Sequence, residues 1–246
     1  MNPFANTANT TGETIEQESD RLGGSFIWDT DAYLVTIKNA YSDKSAGGAA
    51  SMNYEVTGED GRNFRFTEWV TSGDAKGNKP YFEKDGKKTY LPGFNRANAI
   101  AMLTTEKELS GLKFEEKLVK IRNKDTKTDV PTPKAVAVEM IGKQVYLGIL
   151  KIESNKSVKV GDVYKMTAET RFENEVDKVF YAKDKRTIAE LRAKSPESEF
   201  YAKWVETNKG KTVNKVKAAE VAGGATAGAP GQAANADSVP TDSLFA

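Results

Sequence analysis

Between residues 31 and 70 the chain alternates apolar and polar side chains three times in succession. Tyr33, Val35 and Ile37, then Met52, Tyr54 and Val56, then Phe64 and Phe66 recur at every second position. A period of two places these residues on one face of a pleated strand and the intervening residues on the other, so the stretch predicts three consecutive β-strands with a common buried face. Gly58 to Gly61 (GEDG) reads as the turn between the second and third strands, and the small-residue stretch SDKSAGGAAS joins the first to the second, giving an antiparallel meander. The opposite face carries Thr36, Lys38, Asn53, Asn63, Arg65, Thr67 and Trp69. It is polar and partly basic, and a large aromatic such as Trp69 has little reason to stand on a solvated sheet unless something packs on it.

The same pattern reading extends along the chain. Gly23 and Gly24 open a first short strand, SFIWD, in which Trp28 is open to two readings, core or ligand-facing. YFEK and KKTYL flank Asp85-Gly86 and predict a protruding hairpin over residues 79–90. FNRANAIAML follows as a helix burying Phe94, Ala97, Ile100 and Ala101, with Thr105 and Glu108 spaced as a capping box for one further turn. EKLVKIR predicts the fourth strand of the sheet, NKDTKTDVPTP a polar loop, and KAVAVEMI with QVYLGILKIE a hairpin joined at Gly142-Lys143. Two further strands, VYKMTAETRFE and VDKVFYAK, flank Asn174. Thr187 with Glu190 forms a second capping box, Ser195-Pro196 starts another helix, and Phe200 and Trp204 share a helix face that reads as core. A helix between the third and fourth strands suits a five-stranded OB barrel. The fold expected is therefore mainly β: an OB-fold-like antiparallel barrel augmented with extra strands and short C-terminal helices. It is expected to occupy residues 23–217, between a flexible N-terminal arm (1–22) rich in Asn, Thr and Glu and a disordered tail (218–246) of Ala, Gly, Pro, Gln and Asn.

Composition narrows the chemistry. Among 246 residues there is no Cys and no His, which removes disulfides, Cys or His zinc sites, thiol nucleophiles and imidazole bases. No GxxxxGK[ST] or GxGxxG loop occurs, and the carboxylates are scattered, so the expectation is a non-enzyme without cofactors. No run approaches the roughly 18 to 20 apolar residues of a membrane span, and the first residues lack a signal-peptide pattern, so a cytoplasmic location is expected. The net charge of +1 conceals a segregation: residues 1–25 and 218–246 each sum to −3, which leaves +7 between them. A basic body with acidic ends fits a polyanion partner.

The basic and aromatic residues are densest after the third strand. Lys76, Lys79, Lys84, Lys87 and Lys88 are interleaved with Tyr81, Phe82 and Tyr90, against Asp74, Glu83 and Asp85. Lysines can follow phosphates while rings stack on bases, the combination that sequence-tolerant single-strand binding requires. A solvated hairpin stapled to the sheet by its rings is the alternative for the segment. With Lys38, Arg65 and Trp69, these residues make up the candidate site, sheet face and hairpin together forming one groove. At the other end, Asp237, Asp242, Leu244 and Phe245 form an acidic, apolar-tipped terminus suited to docking a partner.

The sequence DAYLVTIKNAYSDKSAGGAASMNYEVTGEDGRNFRF, with the aromatic and basic hairpin and the short helix behind it, resembles bacteriophage single-stranded DNA-binding proteins of OB-fold type over about residues 25 to 125. The resemblance implies single-stranded DNA as partner, roles in DNA replication, recombination and repair in the host cytoplasm, and a C-terminal tail that contacts replication proteins. The family's tail is usually densely acidic and ends in Phe, whereas here Phe245 is followed by Ala246. The competing expectation is a non-catalytic structural or interaction protein, such as a virion component or β-sandwich binding module.

Overall fold

The computed structural model describes residues 27–123, 126–161 and 163–217. The meander forms as the alternation requires. β1 (Asp31–Lys44) pairs antiparallel with β2 (Ala50–Gly58), which pairs antiparallel with β3 (Asn63–Trp69). Ile37 stands opposite Val56, and Tyr54 opposite Phe66, with Tyr54 and Phe66 stacked at 4.8 Å. A β-bulge between Ile37 and Asn39 adds one residue to β1. The extra residue resets the phase, so the buried series Val35, Ile37 continues at Ala40 while Tyr41 points to the polar face.

β1 is also the strand on which the rest of the sheet is hung. Its first half pairs with β8 (Gln144–Val160) and its last residues with β7 (Asp129–Ala137), which in turn pairs with β6 (Phe114–Arg122). The hairpin expected at Gly142-Lys143 is absent: β7 and β8 lie end to end against β1, linked by a short 3₁₀ turn at Val138–Met140. Residues 129–133, expected as loop, belong to β7. Pro131 and Pro133 fit there because that half of β7 has β6 on one side and, among the described residues, no strand on the other, so no ladder donor is lost.

β9 (Val163–Tyr181) runs antiparallel to β8 as one 19-residue strand, where two strands broken near Asn174 were expected. Asn174 does not break the strand because its amide has another use. Its Oδ1 accepts from the Trp28 N–H at 2.8 Å and its Nδ2 donates to the Trp28 carbonyl at 2.8 Å. This clamp holds Trp28 in the core, 1% exposed, which decides between its two readings. Ile27 to Asp29 therefore form no strand; the remainder of SFIWD, the N-terminal arm and the tail lie outside the described residues.

α1 (Pro92–Thr105) buries Ala97, Ile100, Ala101 and Leu103 against the inner face of β3, β8 and β9, with Pro92 at its first turn. The capping box expected at Thr105 does not form: the Thr105 hydroxyl donates to the Ala101 carbonyl and accepts from the Lys107 N–H. The box at Thr187 does form, and opens α2 (Ile188–Arg192). The other carboxylate oxygen of Glu190 accepts from the Phe200 N–H at 2.8 Å, so α3 (Glu199–Asn208) starts there and not at Ser195-Pro196. α3 seats Trp204 directly on Gly148 of β8, where a Cβ would lie 2.9 Å from the indole ring, and Trp204 Nε1 donates to Asp177 at 2.7 Å. Of the two expected core aromatics, Trp204 is buried and Phe200 is 39% exposed. β10 (Thr212–Asn214) runs parallel to β8.

The architecture is thus mainly β and antiparallel, with extra strands and short helices. It is an open, curled sheet, broadly consistent with an OB-like fold. Among the described residues β3 and β9 each pair with one neighbour only, and α1 fills the space between them. There Arg96 of α1 donates to Glu68 of β3 at 2.8 Å, with Glu68 3% exposed. Burial raises the Glu68 pKa above the ordinary range and outweighs the Arg96 contact, which lowers it.

Candidate functional site

The protruding hairpin forms where the sequence places it. β4 (Tyr81–Lys84) and β5 (Lys87–Tyr90) make a separate two-stranded sheet, joined by Asp85 and Gly86 at φ of 52° and 74°. Two successive positive φ values are those of a type I′ turn, and Asp-Gly tolerates them. The root is tied to the body through the Ser72 N–H to the Lys79 carbonyl at 2.9 Å and the Leu91 N–H to the Pro80 carbonyl at 2.8 Å. Gly93, just after β5, lies against the backbone of Trp69, where a Cβ would come within 2.3 Å of the Trp69 carbonyl oxygen.

Register sorts the side chains into two faces. Tyr81 stands opposite Tyr90 and Glu83 opposite Lys88, while Phe82 stands opposite Thr89 and Lys84 opposite Lys87. On the first face each ring has a neighbour within the protein. Lys79 and Lys88 hold their ammonium groups 5.8 and 5.3 Å from the Tyr81 ring, and Tyr90 stacks on Phe94 at 4.7 Å. On the second face Phe82 is 45% exposed with no ring against it among the described residues, beside two lysines directly opposed across the turn. Like charges directly opposed destabilise a strand pair, and an anion between them would relieve it. Lys76, Lys79, Lys84, Lys87 and Lys88 have no carboxylate within ion-pair distance among the described residues.

The polar face of the meander is arranged differently. Arg65 is bound to Glu55 at 2.7 Å through Nη2 and 3.1 Å through Nε, so its charge is matched inside the sheet. Thr67 donates to Asn53 and Thr57 to Asn63, each at 2.7 Å. Lys38 falls in the bulge, exposed, and no carboxylate among the described residues pairs with it. Trp69 ends β3 with 48% of its surface exposed. A cleft of about 230 Å³ lies over this face, and its second wall is β6, through Val119 to Arg122, instead of the hairpin. Sheet face and hairpin are therefore two neighbouring surfaces that meet at the end of β3 where Trp69 stands. The tail residues Asp237, Asp242, Leu244 and Phe245 lie outside the described residues.

Two contributors escape the sequence reading. Tyr41 lines the cleft because the bulge turns it outward, and burial together with Asp43 raises its pKa, so the phenol stays neutral. Lys120 lines it because β6 folds over the sheet; the signal available was only its alternation with Val119 and Ile121 in EKLVKIR. A third feature is the far end of β8 and β9, a two-stranded ribbon whose Val158, Val160, Tyr164 and Met166 are exposed, with Tyr164 at 71%. Compared with known proteins, the chain matches no family model and no curated sequence.

Proposed function

We propose that the protein is a non-catalytic, sequence-tolerant binder of single-stranded DNA. The reading rests on one observation above the others: Phe82, exposed and without a ring partner among the described residues, shares a hairpin face with the opposed pair Lys84 and Lys87. An exposed ring offers a base a stacking surface worth about 1 to 3 kcal/mol, and the lysines supply phosphate contacts beside it. Trp69 stands where the hairpin root meets the sheet, and Lys38 extends the positive charge across the sheet face. Arg65, held by Glu55, orders that face more than it adds charge to it. Coating and protecting DNA in replication, recombination and repair is the role that the resemblance to phage single-stranded DNA-binding proteins adds to this reading, with the C-terminal residues as a contact for replication proteins.

Trp28 and Trp204 are 1% and 4% exposed, so a ligand on this surface acts on the emission of Trp69. Titration with oligo-dT should change that emission. With about five phosphates neutralised, affinity should fall about a hundredfold between 50 and 200 mM salt. Unchanged emission with no salt-sensitive binding would overturn the proposal. The exposed apolar tip of the β8–β9 ribbon favours a second reading, a protein-interaction module. That reading predicts no preference for single-stranded DNA in a gel shift.

A further inference from the structure

A second cleft, of about 440 Å³, opens at the other end of β1. Ala32, Tyr33 and Leu34 of β1 form its floor, Gly58 to Asp60 one wall, and Tyr146 of β8 with Tyr201 of α3 the other. Leu34 and Tyr146 are register partners, and Thr36 and Gln144, the next outward pair, are linked by a 3.4 Å hydrogen bond. The bulge with Lys38 follows, then Tyr41 and the first cleft. Both clefts thus lie along the same outward face of β1.

The second cleft repeats the chemistry of the hairpin. Tyr146 and Tyr201 meet edge to face at 5.8 Å, and the Lys185 ammonium lies 5.3 and 4.7 Å from their ring centroids. Lys185 has no carboxylate within ion-pair distance among the described residues, and its backbone takes the unfavourable φ of 64° to hold this place. The acidic wall is offset: Asp60 is paired with Arg62, whose guanidinium lies 6.0 Å from the Tyr33 ring, and Asp31 with Lys209 at 2.8 Å. Glu59 is the remaining acid of the lining. Burial keeps the Tyr33 and Tyr201 phenols above their ordinary pKa, so neither ring brings a negative charge.

We propose that the cleft beside Tyr146 and Tyr201 is a second base-stacking subsite for the same single strand, with Lys185 as its phosphate contact. The inference rests on the single-strand reading above and adds a footprint. From the row holding Trp69 and Asp43 to the row holding Leu34 is about 30 Å of strand, room for about nine nucleotides at the 3.4 Å spacing of stacked bases. The subsite depends on α3, an element outside the sheet.

Affinities for oligo-dT of about 20 and about 5 nucleotides should be compared in the full chain and in Tyr146→Leu and Lys185→Gln, with thermal melts to verify folding. Each variant should lose about tenfold on the long oligonucleotide and little on the short one, which the hairpin alone can hold. Lys84→Gln with Lys87→Gln should weaken both. Photocrosslinking with bromodeoxyuridine in the long oligonucleotide should label the peptide holding Tyr146 or Tyr201. Wild-type affinity in both variants, with crosslinks confined to the hairpin, overturns the subsite and leaves the single-strand reading intact. Failure of the unaltered protein to bind either oligonucleotide overturns the reading on which the subsite rests.

Discussion

At the scale of single residues, one buried interaction with a definite stability signature takes no part in the proposed surface. Glu68 and Arg96 pair behind the sheet, where β3 and β9 do not. Removing one partner of a buried pair leaves the other charged and unmatched, so Arg96→Met should cost about 3 to 5 kcal/mol in a urea denaturation. The pH dependence has a definite sign. The folded pKa of Glu68 is raised, so the folded state holds that proton more tightly than the unfolded one. Its contribution is fully present below the unfolded pKa, near 4.5, and is lost as pH rises through the folded value. Stability of Glu68→Gln relative to the parent should therefore improve from about pH 4 to about pH 7, and a difference independent of pH would contradict the assignment. Asn174 offers a second test: its amide satisfies both backbone groups of Trp28, and Asn174→Ala should cost about 1 to 3 kcal/mol for the pair left unmet.

At the scale of elements, the hairpin is the part whose loss should separate function from folding. Its turn requires positive φ at Gly86, and a side chain there costs about 1 to 2 kcal/mol in the left-handed region. Gly86→Val should fray β4 and β5 and weaken oligo-dT binding while the melting temperature of the body stays unchanged, because the hairpin is a sheet of its own. The same elements show what alternation reveals and where it stops. The buried faces of β2 and β3, the hairpin turn at Asp85-Gly86 and the Thr187 capping box follow from local rules and are legible in the sequence. The bulge at Ile37/Asn39 is not, because one inserted residue alters phase without altering composition, and Tyr41 was thereby missed. Asn174 and Gly142 read as punctuation, yet one is a clamp on Trp28 and the other a link between strands that both use β1. Both roles are set by partners distant in the chain.

At the scale of the whole molecule, the sheet stays open between β3 and β9, and its outward face carries charge that is neutralised in some places and left free in others. Arg65 is matched by Glu55, Asp43 by Lys134 and Asp60 by Arg62, whereas the hairpin lysines have no such partners among the described residues. Sequence alone counts these cations equally; only the register reveals which charges the fold has already used. The candidate site was thus legible in its hairpin half, through the density of Lys and aromatic residues, and less so on the sheet, where the second wall comes from β6.

In the proposed complex the hairpin lysines, unpaired among the described residues, meet phosphates while Phe82 stacks on a base. The most direct measurement is the slope of log K against log salt for oligo-dT binding, in the parent protein and in Lys84→Gln with Lys87→Gln. Loss of two phosphate contacts should make the slope shallower by about 1.4, at about 0.7 per contact on a single strand. An unchanged slope in the double variant, with affinity intact, would contradict the account.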